Sequence, residues 1–517
     1  MDSKIKKSGF GISKGIGPFT KEDELLGQLE EKEMRAKKIK MKEQLGIKVK
    51  KEEDFSEWYS QVIQKSGLAD YTSVSGCIVF RPYAYAIWEK IKKEIDKRIK
   101  KMGVQNAYFP LFIPEKLLKK EAENFKGFSP EVAWVTEAGN SKLDERLAIR
   151  PTSEAIMYES YAKWIRSWRD LPLKLNQWNN VVRWEFKYGV PFLRTREFLW
   201  NEGHTAFATQ KEAEEEVYAI LTMYDQVLQE YFALYGLLGR KTKHEKFAGA
   251  EYTLTIEIIM PNGKAIQGPD AHYDGQNFAK AFGITFLDKD EKEKHVYQNT
   301  WAITTRMIGV LVAVHGDDKG LVLPPKLAPH KAVVIPILIG KDKGAVLKKG
   351  RALAQKLKKF DCIFDDRESY TPGWKFNEWE IKGVPVRIEI GPQDIKQKQV
   401  VLVRRDANKK IVIEEKAVVR ELTKILEEMQ ENLYAKSKTL TEDNIIAVDN
   451  LNALRKAIDK KKIVEAFLCE DVHCESSLKE INGIKTLNIP FKQPLKKEPC
   501  VVCKKESAYL VRIGKSY

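Results

Sequence analysis

At Leu321-Val-Leu-Pro-Pro325 the sequence changes its pattern, and no single fold serves both sides. Before it, from about residue 51, the chain is dense in aromatics. Two strand-like runs, Lys174–Phe186 and Phe192–Trp200, are joined by Lys187-Tyr-Gly-Val-Pro191 and predict an antiparallel hairpin with a long loop. After it, strand and helix patterns alternate. Ala332–Ile339 reads as a buried strand, Ala345–Lys359 as a helix, Val384–Ile390 and Val400–Arg404 as strands, and Ala417–Leu433 as a long helix. That alternation predicts a compact α/β domain. The 517 residues therefore read as an α+β multidomain chain. A basic extension, partly helical or disordered, covers 1–50 and an antiparallel-sheet domain 51–328. The α/β domain covers 329–434 and a small C-terminal α/β domain 435–517, entered through a polar link from Ala435 to Asp443.

Composition excludes several classes. With 43% hydrophobic and 31% charged residues the chain is too apolar for disorder throughout. The longest apolar run, Met307–Val314, is far short of the roughly 20 residues of a membrane span. Met1-Asp-Ser-Lys4 lacks the apolar core of an export signal, and six cysteines do not make a disulfide scaffold, so the cytoplasm is expected. A formal charge of +16 favours a polyanionic partner, with nucleic acid ahead of membrane, although many basic proteins bind neither.

Local patterns fill in the rest. Ile87, Ile91, Ile95 and Ile99 predict a helix with one apolar stripe, stopped at Gly103. Residues 210–235 predict another amphipathic helix. Gly9, Gly11, Gly15 and Gly17 lack the spacing of a dinucleotide fingerprint. The Lys/Glu-rich Lys21–Lys50 reads as a solvated helix, and the whole extension fits a tether or an RNA contact.

Three segments carry polar groups suited to chemistry. On the hairpin, Arg183 and Glu185 share one strand face and Arg194 and Arg196 share another, with Glu202 just beyond. Such a surface suits an internal ion-pair network or an anionic ligand gripped by guanidinium forks. Arg150-Pro-Thr-Ser-Glu154 can start a helix capped by Thr152 or Ser153. Thr304-Thr-Arg306 precedes an apolar helical run, and an arginine there needs a partner, either a phosphate or a structural carboxylate.

The order and content of these segments resemble class II aminoacyl-tRNA synthetases, and within them the prolyl-tRNA synthetases of the eukaryotic and archaeal type. The resemblance rests on Tyr83-Ala-Tyr-Ala-Ile-Trp88, Ala148-Ile-Arg-Pro-Thr-Ser-Glu154, Asn180-Val-Val-Arg-Trp-Glu-Phe186 and Phe192-Leu-Arg-Thr-Arg-Glu-Phe-Leu-Trp200 with Glu202-Gly-His204. It continues through Gly275-Gln-Asn-Phe278, Thr304-Thr-Arg306, Val314-His-Gly-Asp317, Gly320–Pro325 and Pro372-Gly-Trp-Lys-Phe376. It implies a class II antiparallel-sheet catalytic domain, an α/β anticodon-binding domain and a C-terminal zinc-binding domain. It also implies a homodimer formed through the helix at 84–102 and the strand near Pro110, with L-proline, ATP and tRNA(Pro) as partners. The implied reaction forms prolyl-adenylate and pyrophosphate, then moves the prolyl group to the tRNA 3′ end. That chemistry needs fixed cations and positioning, not an acid–base pair.

Residue roles follow from the same resemblance. Arg183 is expected at the proline carboxylate and the α-phosphate, and Arg306 at the γ-phosphate; these two are the expected catalytic groups. Glu185, Arg194, Thr195 and Thr304 are expected to hold ATP, with Phe198 on the adenine and Gln267 at ATP and its magnesium. Thr152 and Glu154 are expected to take the secondary amine of proline, and Trp200, His204, Phe247 and His272 to shape the ring pocket. Family members often carry Thr-Ser-His where this chain has Asp270-Ala-His272. An aspartate repels phosphates unless magnesium or an arginine lies between, so the carry-over covers His272 and not Asp270. The stretch between the hairpin and Thr304 leaves no room for a large editing domain.

The cysteines have their own pattern. Cys469-x4-Cys474 and Cys500-x2-Cys503 suit a structural zinc held by four thiolates, with His473 as a competing ligand and four unligated buried cysteines as the other reading. The basic runs Lys341–Lys348 and Lys396–Lys398 suit either a phosphate backbone or a solvated face. Two rivals are an inactive synthetase relative that binds RNA and an enzyme charging threonine or glycine. Against the first, Arg183, Arg306, Thr152 and Glu154 are all present; against the second stand Thr-Ser-Glu154 and His272.

Overall fold

The main sheet is built from strands whose two faces bury different things. In this computed structural model, residues 46–124, 131–186, 189–340 and 342–517 are described. Most of the Lys21–Lys50 helix expectation, the loop residues 187–188 and Lys341 lie outside them; 46–50 carry no helix. The sheet strands are β1 (Gln105–Asn106), β2 (Leu173–Val182), β3 (Glu197–Phe207), β4 (Leu237–Arg240), β5 (Tyr252–Ile259), β6 (Lys264–Gly275) and β7 (Tyr297–Thr304). They lie in the order β4-β5-β6-β7-β3-β2-β1. β2 and β3 pair antiparallel from Leu173↔Ala206 to Val182↔Glu197.

The predicted hairpin is there, but its strands are displaced toward their outer ends. Residues 183–196 leave the ladder, because Phe192 takes a positive φ of 61° and Pro191 cannot donate to it. One bond, Arg183 N to Arg196 O at 2.8 Å, ties the two arms above the last ladder pair.

Helices cover the back of the sheet. α1 (Pro82–Lys101) buries Ile87, Ile91, Ile95 and Ile99 as its periodicity predicts, and Gly103 follows its end at φ 83°. α2 (Glu115–Asn124) and α3 (Glu154–Trp164) share a second core with Leu175, Ala206 and Phe278, and α4 (Gln210–Val227) and α5 (Arg306–His315) join the large core under β5, β6 and β7. α4 begins with a capping box between Thr209 and Glu212.

Gly203 of β3 sits opposite Trp301 of β7, and a Cβ on Gly203 would lie 2.0 Å from Trp301 Cε2. Gly203→Ala is therefore expected to push the buried indole off its seat and destabilise the chain by about 1–3 kcal/mol or more. An unchanged urea midpoint would show that the ring can yield.

His315, at the end of α5, is buried with its Nε2 2.8 Å from Phe232 O. Burial, reinforced by Lys51 and Lys436 and opposed by the Phe232 carbonyl, lowers its pKa to about 4. The unfolded chain then binds the extra proton first, so stability falls as pH drops from about 6.5 toward 4. At pH 5 this one group is expected to remove about 2 kcal/mol. His315→Gln keeps a donor for Phe232 and should lose this part of the acid sensitivity; equal losses of urea stability between pH 7.5 and 5 in both proteins would refute it.

The α/β segment has a five-stranded sheet. Its strands are β8 (Ala332–Pro336), β9 (Ile363–Phe364), β10 (Val386–Ile390), β11 (Gln399–Arg404) and β12 (Lys410–Glu414), in the order β9-β8-β10-β11-β12. α6 (Lys343–Lys356) and α8 (Val418–Glu442) supply buried residues to its core, and α7 (Pro372–Ile381) covers another part. Here one expectation is corrected. The stretch from Ala435 to Asp443, expected to be a polar link, is helical almost throughout, because α8 runs on to Glu442. Its last turns bury Ser437 and Thr441 instead of apolar side chains, and Ser437 Oγ accepts from Tyr235 N at 3.0 Å.

The C-terminal strands continue the main sheet. They are β13 (Ile445–Ala447), β14 (Ile463–Leu468), β15 (Lys485–Pro490) and β16 (Tyr509–Ser516), added as β13-β14-β16-β15 beside β4. β16 also pairs in parallel with the start of β6. No helix among the described residues is long and apolar enough to cross a membrane.

Candidate active site and cysteine centre

On the front of the sheet lies a cavity of about 470 Å³. Every residue assigned above to proline or to ATP lines it. Alternation along β3 turns the side chains of Trp200, Glu202 and His204 to this face, while Gly203 turns its Cα hydrogen toward Trp301 and lines the cavity with backbone. β6 contributes Gln267, Asp270 and His272 through a bulge at Gly268-Pro269, where the register against β5 shifts and a strand proline is tolerated. The end of β7 brings Thr304, and the first residue of α5 brings Arg306.

One end of the cavity is cationic. Arg183 Nε donates to Pro151 O at 3.0 Å, and its guanidinium lies 5.5 Å from the ring centroids of both Phe198 and Trp200. Arg306 Nε donates to Leu193 O at 3.2 Å and a terminal nitrogen reaches Gln267 O at 3.4 Å. Burial, and then the nearness of Arg183, lower the Arg306 pKa. Among the described residues neither guanidinium has a carboxylate partner within 4.0 Å, so an internal ion-pair network does not account for them. Two uncompensated cations facing one space suit an anionic ligand. Arg194 is exposed at the rim, over the Phe186 ring at 4.0 Å, close to exposed Glu185 and buried Thr195.

The other end is a slot with apolar walls. Trp200 is fixed by its Nε1, which donates to Asn179 Oδ1 at 2.6 Å. Phe247 lies 4.9 Å from the His272 ring, and His272 Nδ1 is 2.8 Å from Thr253 Oγ1. Burial lowers the His272 pKa against the pull of Asp270, so the ring is neutral near pH 7. Thr152 Oγ1 donates to Glu154 Oε2, and both side chains are buried at the start of α3.

Several expectations need correction. Arg196 does not line the cavity: its guanidinium donates to Phe186 O at 2.8 Å and Ser75 O at 2.9 Å, bracing the hairpin loop. Ser153 occupies the N-cap position of α3 without capping it, because its hydroxyl donates to Glu202. Asp270, to which no ligand contact was carried over, also lines the cavity; it accepts from Gln267 Nε2 at 2.5 Å and lies 3.6 Å from His272 Nε2. Sequence reasoning missed Lys241, which lines the cavity and pairs with buried Glu257 at 2.6 Å, and no local pattern signals it. Glu202 was placed near the arginines but given no role, although it shares the β3 face of Trp200 and His204.

In the C-terminal region the cysteine ligand atoms of Cys469, Cys474, Cys500 and Cys503 all lie within 4.8 Å of one another. Cys469 Sγ and Cys503 Sγ are 3.8 Å apart. A tetrahedron with Zn–S bonds of about 2.3 Å has edges of about 3.8 Å, so the donor set fits one zinc ion. Cys469 follows β14, Cys474 lies on a helix at Val472–Lys479, and Cys500 and Cys503 fall on the turn before β16. His473 is not in the cluster; its backbone N–H donates to Asp471 instead.

Comparison with known proteins defines the class first. The family model described as "tRNA synthetase class II core domain (G, H, P, S and T)" matches residues 134–315, and an "Anticodon binding domain" model matches 331–425. A model described as "Prolyl-tRNA synthetase, C-terminal" matches 451–517. A proline–tRNA ligase of Natranaerobius thermophilus is 49% identical over 441 residues, 85% of this chain and 91% of that one. Proline–tRNA ligase 2 of Bacillus cereus strain ZK / E33L is 46% identical over 92% of this chain and 100% of that one. The bifunctional glutamate/proline–tRNA ligase of Mus musculus is 46% identical over 92% of this chain, which spans 33% of its length. The chain belongs to the prolyl-tRNA synthetases, the class II proline–tRNA ligases.

Proposed function

We propose that the front cavity joins L-proline to ATP and passes the prolyl group to tRNA(Pro). The observation that carries this reading is the pair of guanidinium groups, Arg183 and Arg306, which have no carboxylate partner among the described residues and stand beside a slot that ends in Glu154. Glu154 and Thr152 take the secondary ammonium of proline, and Trp200, Phe247, His204 and His272 enclose its ring. Arg183 holds the carboxylate against the α-phosphate. A proline oxygen attacks that phosphorus, the bond to the β-phosphate oxygen breaks, and pyrophosphate leaves. Charge grows on the α-phosphate in the transition state, and the Arg183 guanidinium is the group assigned to stabilise it. Arg306 and Arg194 hold the phosphate tail, Thr195, Thr304 and Glu185 hold the nucleotide, and Phe198 stacks on the adenine. The terminal hydroxyl of the tRNA then attacks the prolyl carbonyl and AMP leaves. Gln267 is the residue assigned to magnesium brought in with ATP, and the carboxylate of Asp270 beside it suits the same ion, which supplies charge neutralisation to the phosphates.

Further parts of the reading have their own support. The closed set of four thiols suits a structural zinc. Tyr108 at 70% exposure and Phe112 at 44%, on either side of Pro110, suit contact with a second copy of the chain. Residues between β3 and β7 are taken up by α4, β4, β5 and β6, which supports a chain without a built-in editing domain. The 329–434 segment, with its α/β sheet, is the part assigned to the anticodon, and 435–517 the zinc-bearing part. ATP–pyrophosphate exchange with each amino acid in turn tests the substrate. Proline should give the fastest exchange; exchange with another amino acid and none with proline would overturn the reading.

A further inference from the structure

Glu202 is 2% exposed, and its two oxygens are surrounded by donors from three different walls of the slot. Oε1 accepts from Ser153 Oγ, from Gln177 Nε2 at 3.0 Å and from Asn179 Nδ2 at 2.7 Å. Oε2 accepts from Ser153 N at 3.2 Å and faces His204 Nε2 at 3.2 Å. A carboxylate offers about four acceptor positions, so this group is saturated.

Three of these four partners, Ser153, Asn179 and His204, bear on the imino-acid slot, while Gln177 braces Ser153. Ser153 stands between Thr152 and Glu154, the pair assigned to the amine. Asn179 uses its other amide atom to hold the Trp200 indole at 2.6 Å. His204 is pinned from its far side by Tyr158 OH, 3.2 Å from Nδ1. An ionised Glu202 also requires the proton on His204 Nε2, which leaves Nδ1 to accept from Tyr158. Burial alone would raise the Glu202 pKa, but hydrogen bonds from His204, Ser153 and Asn179 outweigh it and keep the group ionised.

We propose that Glu202 is a positioning residue for proline: one buried carboxylate sets the spacing of the amine site, the indole wall and the histidine wall, and so the fit of a five-membered imino acid. The inference rests on the front cavity being the proline site. None of the direct partners of Glu202 touches Arg306, Arg194 or Gln267, and its reach toward Arg183 and Phe198 passes only through the Trp200 ring.

Glu202→Gln places its one NH₂ either against Gln177 Nε2 and Asn179 Nδ2 or against Ser153 N and the His204 N–H, so donors face donors in either orientation. In ATP–pyrophosphate exchange the variant is expected to raise KM for proline about 30-fold or more, as loss of a charged hydrogen-bond acceptor predicts. KM for ATP should stay within about twofold of the parent, because the interactions at that end are untouched. An unchanged proline KM, or a parallel rise of both constants as a merely loosened fold would give, overturns the proposal. If Glu202→Gln does not fold, Ser153→Ala is read by the same split, with a threefold or greater rise in proline KM expected from one lost donor, about the smallest single hydrogen-bond effect. Should the parent itself show no exchange with proline, the assignment of the cavity fails rather than the role of Glu202 within it.

Discussion

Replacing Arg183 by alanine is expected to lower proline-dependent ATP–pyrophosphate exchange by about 10³-fold or more while the far-ultraviolet circular dichroism stays that of the parent. The size follows from where the guanidinium stands. It is preorganised by a single bond to Pro151 O and by the flanking rings of Phe198 and Trp200, with no internal carboxylate to neutralise it among the described residues. Its charge is therefore free to act on charge that develops during the reaction, and burial makes that action stronger than in water. The structural cost is small, because the side chain contributes one hydrogen bond and lines an open cavity. Near-parental exchange in the variant would remove Arg183 from the reacting centre.

The second large effect concerns the thiols. Freshly purified protein is expected to contain one zinc per chain, and Cys500→Ala to lose it. Structural zinc binding in small domains is worth about 10–16 kcal/mol, of the order of a whole domain's net stability. Cys500 is fully buried, and the cluster lies beside strands that complete the main sheet through β15 on β4 and β16 on β6. Loss of the ion should therefore be felt beyond the last residues, as a fall on the order of 10 °C in the first unfolding transition. Elemental analysis finding no zinc, with a chelator leaving the melting curve unchanged, would contradict the four-thiolate centre.

Much of this was readable before any coordinates. The stripe Ile87, Ile91, Ile95 and Ile99 announced its helix because a buried face needs apolar residues at that interval. The motif residues that converge on the cavity come from separate elements, and only their resemblance to a family brought them together on the page in advance. What escaped did so for physical reasons. The end of α8 buries Ser437 and Thr441, small polar side chains that look like a link although they pack like a core. Arg196 and Arg194 are indistinguishable by alternation, yet Arg196 is held by the carbonyls of Phe186 and Ser75 while Arg194 lines the cavity, and neither carbonyl is marked by any local pattern. Lys241 and Glu257 meet across two strands, and no spacing in the sequence records a pair of that kind. Electrostatics alone argues against Asp270 beside phosphates, yet it lies at the cavity wall, where Gln267 Nε2 donates to it and His272 Nε2 stands 3.6 Å away.

The most direct test is a crystal structure of the full chain with a non-hydrolysable sulfamoyl analogue of prolyl-adenylate. The pyrrolidine ring should lie among Trp200, Phe247 and His272 with its nitrogen on Glu154, the sulfamoyl group on Arg183 and the adenine on Phe198. An analogue bound elsewhere, or bound here with its ring at the arginine end, would contradict the assignment of the two ends of the cavity.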